Sequence, residues 1–164
     1  MASTFVSGTG FAAPMPAWAI LARRLGAALI IVGMLPAAAP QTTRVEVKFE
    51  DVRNSTGLIR VCMTREPRFF PHCEKDPEAR KLSIPASNGA TLNFADVAPG
   101  EYAISVLHDE NRDGKLNTSL GIPREGVGFS RSPRLRFSAP KFADVRFAVG
   151  AGPVTQDIRL QYFL

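Results

Sequence analysis

Apolar residues recur at every second position through much of this chain. Over 44–52, Val45, Val47 and Phe49 alternate with charged neighbours, the period of a half-buried strand. Asn54-Ser-Thr-Gly57 is a turn signal, and 58–63 (LIRVCM) reads as a second strand, so the two are expected to pair as a hairpin. Pro67, Pro71 and Pro77 then interrupt pairing, and Phe69 and Phe70 are expected to fold back on the core. A third strand over 80–85 ends at Pro85, and 90–97 alternates again with Leu92 and Phe94 inward. The strongest strand pattern is 102–108. Tyr102, Ile104 and Val106 point one way and Ala103, Ser105 and Leu107 the other, which suits a central strand covered on both faces. Beyond a long segment, 134–137, 142–149 and 155–163 complete the set, punctuated by Pro133, Pro140 and Gly150-Ala-Gly-Pro153. About seven short strands at roughly ten-residue spacing, with no sustained helical period after the N-terminal region, predict an all-β fold: a single antiparallel Greek-key β-sandwich.

The N-terminal region changes the picture of the domain organisation. Arg23 and Arg24 precede an uncharged apolar run from Leu25 to Leu35, and Pro36-Ala-Ala-Ala39 follows it. A basic start, a short apolar run and small residues fit a secretory signal peptide over 1–39, whereas about eleven residues are too few to span a bilayer comfortably. Translation could start at Met1 or Met15, and Pro40 leaves the cleavage site open. An uncleaved anchor is the alternative. The sandwich then occupies 40–164, and the expected compartment is periplasmic or secreted, without a stable membrane span after cleavage.

Charge and cysteine content narrow the class further. Without residues 1–39, which hold two arginines and no acid, 18 basic side chains face 15 acidic ones. That excess of about three is scattered rather than gathered on one face, so nucleic acid is not an expected partner. Cys62 and Cys73 are the only cysteines. In an exported chain they are expected to form one structural disulfide. With His72 they would make a poor zinc site, since structural zinc wants four ligands.

The candidate chemistry lies in 108–130, HDENRDGKLNTSLGIPREGVGFS. Its turn residues are too specific for a slack linker, and Leu116, Leu120, Ile122, Val127 and Phe129 are expected to tie it to the core. His108, Glu110, Arg124, Glu125 and Phe129 are the candidate binding residues of this loop. Asp109, Asn111 and Asp113 stand at the first three ligand positions of a calcium loop, with Gly114 at the bend, the Lys115 carbonyl next and Asn117 after it. Leu120 occupies the position where a closing Glu belongs, although Glu125 could close the site from further on. Calcium is therefore the one cofactor the spacing suggests, at the weak affinity of extracellular modules, about 10⁻⁴ to 10⁻³ M. The competing reading makes the same Asp and Asn side chains caps of their own turns.

A hydrolase using His108 would need its side chain to converge with those of Asp109 and Glu125. Neighbours at a strand end point to opposite faces, and Ser130 and Ser132 lack the strained turn that activates a hydrolase serine. Gly126 and Gly128 are not a phosphate loop and are expected at positive φ. Arg124, Arg131, Arg134 and Arg136 could face an anion or simply water.

Asp96-Val-Ala-Pro-Gly-Glu-Tyr-Ala-Ile-Ser-Val resembles the turn-plus-strand hallmark of transthyretin-like (prealbumin-like) and carboxypeptidase-regulatory-like β-sandwich modules. Extended through HDENRDGKLN, GIPREGVGFS and Pro140-Lys-Phe-Ala-Asp-Val, the chain is similar to the uncharacterised bacterial exported family DUF2141. Asn117 stands where that family's pattern leads one to expect Asp. The resemblance implies fold and export but no activity. The expected function is thus an exported binding or accessory module of the bacterial cell envelope, with 108–130 as its functional surface and an unidentified envelope ligand or protein as partner. The alternatives are a small hydrolase and a purely structural envelope protein.

Overall fold

Alternation becomes strand wherever one face has a sheet to pack against. The computed structural model describes residues 41–87, 89–136 and 138–164, so the expected signal peptide over 1–39 lies outside the described residues. Ten strands and one short helix follow in order: β1 (Thr43–Glu50), β2 (Leu58–Thr64), β3 (Arg80–Pro85), β4 (Thr91–Val97), β5 (Gly100–Asp109), β6 (Thr118–Ser119), β7 (Ile122–Pro123), β8 (Gly126–Phe129), α1 (Phe142–Val145), β9 (Phe147–Val149) and β10 (Val154–Arg159). One sheet has the order β10-β1-β4. The larger has the order β3-β2-β5-β8, with β9 joining the same edge of β5 beyond β8, and β6-β7 is a separate small hairpin.

The two main sheets meet face to face as a sandwich. Val45, Val47 and Phe49 of β1 and Ile158 of β10 come from one side, and Ile59, Val61 and Met63 of β2 with Ile104 and Val106 of β5 from the other, all buried. Each such side chain removed from water contributes roughly 1.5–3 kcal/mol. This layering explains why the expected β1–β2 hairpin does not form. Both strands present their apolar stripe to the same core from opposite sheets, so the link over 51–57 crosses between layers instead of turning within one. β1 pairs β4 and β10, and β2 pairs β3 and β5.

The strands pair antiparallel as expected with one exception: β10 runs parallel to β1 from Val45↔Val154 to Glu50↔Arg159. Residues 134–136 carry no strand, and Leu135 packs on the outside of the larger sheet. Residues 142–145 form the single-turn α1, in which the Asp144 carboxylate accepts the Lys141 N–H at 3.1 Å, and only 147–149 is strand.

A second apolar cluster covers one end of the larger sheet's outer face. There Phe70 meets Phe129 edge-on at 5.7 Å and Phe142 at 6.1 Å, beside buried Ala103 and Val145. Phe70 thus folds back as expected, although onto the outer cluster, whereas Phe69 sits under the Arg68 guanidinium at 4.6 Å. Cys62 and Cys73 are joined, their Cα atoms 6.1 Å apart, and tie this loop to β2. Ser130 is fully buried and bridges the cluster, donating to the Val145 carbonyl at 2.7 Å and accepting the Ile104 N–H at 3.0 Å. Its role is structural.

Candidate functional site

β5 delivers two polar side chains to its end, His108 and Asp109, and strand geometry sends them to opposite faces. His108 is fully buried on the core side. Its Nε2–H donates to the Thr56 carbonyl at 2.8 Å and its Nδ1 accepts the Tyr162 hydroxyl at 2.7 Å, while that hydroxyl accepts the Arg53 N–H at 3.2 Å. Burial raises the Tyr162 pKa above its ordinary value. The imidazole therefore holds the 53–57 link and the C-terminal segment together. It does not converge with Asp109 and Glu125, so the geometry that the hydrolase reading requires is not formed.

Asp109, on the other face, is also fully buried. Its Oδ1 accepts the Asp113 N–H at 3.1 Å, and its Oδ2 accepts both the Gly114 N–H at 2.9 Å and the Arg60 guanidinium. Glu125 is buried as well. One of its oxygens accepts the Glu110 N–H at 3.2 Å, and the other accepts the Asn117 N–H at 2.9 Å and its side-chain amide at 3.3 Å. Asp109 thus braces the middle of 110–117 and Glu125 its two ends through backbone donors, which offsets the cost of burying their charge.

Within that brace Asp113 takes donors from Lys115 N–H at 2.8 Å, the Asn117 amide at 2.9 Å and the Asn111 amide at 3.0 Å. These bonds, the Asn117 amide foremost, hold its carboxyl below the usual range. Outside the brace Glu110 accepts both arms of Arg53, at 2.8 and 2.7 Å, and the Asn54 amide at 2.7 Å. Arg53 chiefly lowers the Glu110 pKa to about 2, against the opposing effect of burial. All five residues of the calcium spacing thus lie in one turn, but their carboxylate and amide groups are spent on one another and on N–H groups. Among the described residues no cluster of three or more His, Cys, Asp and Glu is placed to hold a metal.

The expected apolar ties of the loop divide into two sets. Val127 and Phe129 belong to β8 and are buried, so the long loop ends at Glu125, five residues earlier than its sequence implies. Leu116, Leu120 and Ile122 are 40, 100 and 44% exposed. The tip of the β6–β7 hairpin has positive φ at both Leu120 (51°) and Gly121 (80°), the backbone pattern that usually calls for Asn-Gly. Gly126 and Gly128 are not at positive φ. They are glycines because a Cβ would lie 2.4 Å from the Tyr162 ring and 2.8 Å from Ile158, respectively.

Exposed Leu116 and Ile122 form one lip of a cleft of about 950 Å³ on the outer face of the larger sheet. Its floor comes from outward positions of β2, β5 and β8, among them Cys62, Ser105, Leu107 and Val127, and Leu135, Arg136 and Phe163 contribute to other walls. Of the sequence-level binding residues, only Phe129 lines it. The Arg124 carbonyl accepts Arg53 at 2.9 Å, and the side chains of Arg124, Arg131 and Arg134 are exposed away from the lining. The cleft draws on the disulfide loop, four strands (β2, β3, β5 and β8), the hairpin and the C-terminus, so no local motif marks it.

Bacterial proteins described as uncharacterised and conserved, DUF2141, match residues 47–157, which include both sheets and the braced loop. The chain belongs to the DUF2141 family. No curated protein and no solved structure matches this DUF2141 chain.

Proposed function

We propose that this DUF2141 protein is an exported binding or accessory module of the cell envelope, recognising its partner through the cleft and the loop that rims it. One observation carries the reading. Two buried carboxylates are committed to holding a loop whose apolar side chains, Leu116 and Ile122, stay in water at the lip of a cleft. Stability alone would favour a short polar turn there, and recognition commonly resides on loops that a rigid scaffold holds in place. The apolar run at 25–35 and the Cys62–Cys73 bond support export. Among the described residues no helix is long and apolar enough to cross a membrane.

Photo-crosslinking residues placed at Leu116 and Ile122, with Lys48 on the other sheet as control, test the reading in intact cells. Adducts confined to the two cleft positions are expected; equal labelling at Lys48, or none at all, would discard it. Calcium enters the proposal as a loop-ordering ion that would take Asp109, Asn111, Asp113, Asn117 and the Lys115 carbonyl as ligands in place of the N–H and amide donors those side chains now bind. Calorimetric titration against an Asp113→Ala control is expected to give weak saturable heat, and silence up to several millimolar removes the ion from the reading.

A further inference from the structure

The charges around the cleft are strongly one-sided. Arg60, His72, Lys81, Lys115 and Arg136 line it, against the single acid Glu74. Arg60 is committed to Asp109, and His72 and Glu74 lie 3.9 Å apart. Lys81 is anchored by carbonyl oxygens, of Glu74 at 2.8 Å and Asp76 at 2.9 Å, rather than by a carboxylate. Lys115 and Arg136 form no ion pair among the described residues. Lys81, Lys115 and Arg136 thus have no carboxylate in ion-pair contact around a floor and lip of Leu107, Val127, Leu116 and Ile122, while Asp76 and Asp113 act on Lys81 and Lys115 only through space.

We infer that the cleft takes an anionic amphiphile, a molecule with an apolar chain and a single carboxylate or phosphate head. The inference rests on the binding reading above and names its ligand class. The apolar chain would cover Leu116 and Ile122, whose exposure otherwise costs free energy, and the head would meet Lys81, Lys115 and Arg136. The volume lies at the upper end of small-molecule sites, about 300–1,000 Å³. Other occupants fit less well. A second copy would bring its own cationic rim against this one. An added peptide strand lacks an edge at β8, whose Val127 already exchanges backbone hydrogen bonds with Gln161 at 3.0 and 2.8 Å, and β3 offers only a six-residue edge that ends at Pro85.

The test titrates the full oxidised chain calorimetrically with three twelve-carbon probes below their micellar concentrations: dodecanoate, dodecyltrimethylammonium and dodecyl maltoside. Dodecanoate is expected to bind saturably at one site, about tenfold tighter than the cationic probe. Leu116→Asp with Ile122→Asp should weaken it by at least about tenfold, and both positions are exposed enough that folding is retained; Leu116→Gln is the milder check. Lys115→Glu with Arg136→Glu should weaken dodecanoate while leaving the maltoside unchanged.

Equal affinity for the two charged probes, or dodecanoate binding untouched by the lip variants, overturns the inference and marks unspecific partition. Absence of binding by every probe overturns it too. If crosslinks at Leu116 and Ile122 persist in that case, the binding reading stands without this ligand class; if they also vanish, both fall.

Discussion

Gly126 and Leu120 obey opposite constraints although only six positions separate them. Gly126 sits where the Tyr162 ring crosses β8, so Gly126→Ala must displace the ring that bonds His108. The expected loss is about 1–3 kcal/mol, visible as a lower denaturant midpoint with little change in slope. Leu120 has backbone geometry that disfavours L side chains and no contact to repay it. Leu120→Asn is expected to raise stability by about 0.5–1 kcal/mol, measured as an increase in Tm. Glu110 supplies a pH signature. Its folded pKa of about 2 lies below the unfolded 4.5, so its contribution is complete above about pH 4.5 and is lost as pH falls toward 2. Arg53 is partly in water, which limits the effect to order 1–2 kcal/mol. In Glu110→Gln the acid-unfolding curve should lose that part of its slope between pH 4.5 and 2.

Among elements, the braced loop departs most from what its sequence suggests. The spacing of Asp109, Asn111 and Asp113 foretells a tight turn, and the turn is there. Nothing local foretells that Glu125 reaches back to both Glu110 and Asn117, because that closure depends on β8 returning beside β5. Glu125→Ala removes the acceptor for two backbone donors. Amide exchange at Glu110 and Asn117 is expected to rise by about tenfold or more while the β2–β5 amides stay protected. Uniform acceleration across the sheet would instead mean that the loop is integral to the sandwich. The 134–149 region shows the limit of alternation as a signal. Leu135 alternates with arginines, yet it packs from a loop between two prolines, and Phe142 and Val145, three residues apart, share one face of a single helical turn on Phe129's cluster.

At the level of the whole molecule, one covalent link joins the outer cluster to the sandwich. Cys62–Cys73 closes a loop of separation 11, and Cys62→Ser with Cys73→Ser should reduce the unfolding free energy by about 2–3 kcal/mol in the chain-entropy estimate. Equal denaturation curves for the variant and the oxidised protein would refute that estimate. Periodicity by itself determined that the chain is all-β, where most strands lie and which residues face the core, because a period of two needs only one buried face to be read. It also marked the cysteine pair and the turn chemistry after β5. Tertiary structure alone decided that β1 leaves β2 for β10 and β4, that Glu125 closes the loop onto Glu110 and Asn117, and that a cleft opens beneath the hairpin. Strand partners, side-chain convergence and concavity depend on which segments meet across the fold, and no window of neighbouring residues contains that information.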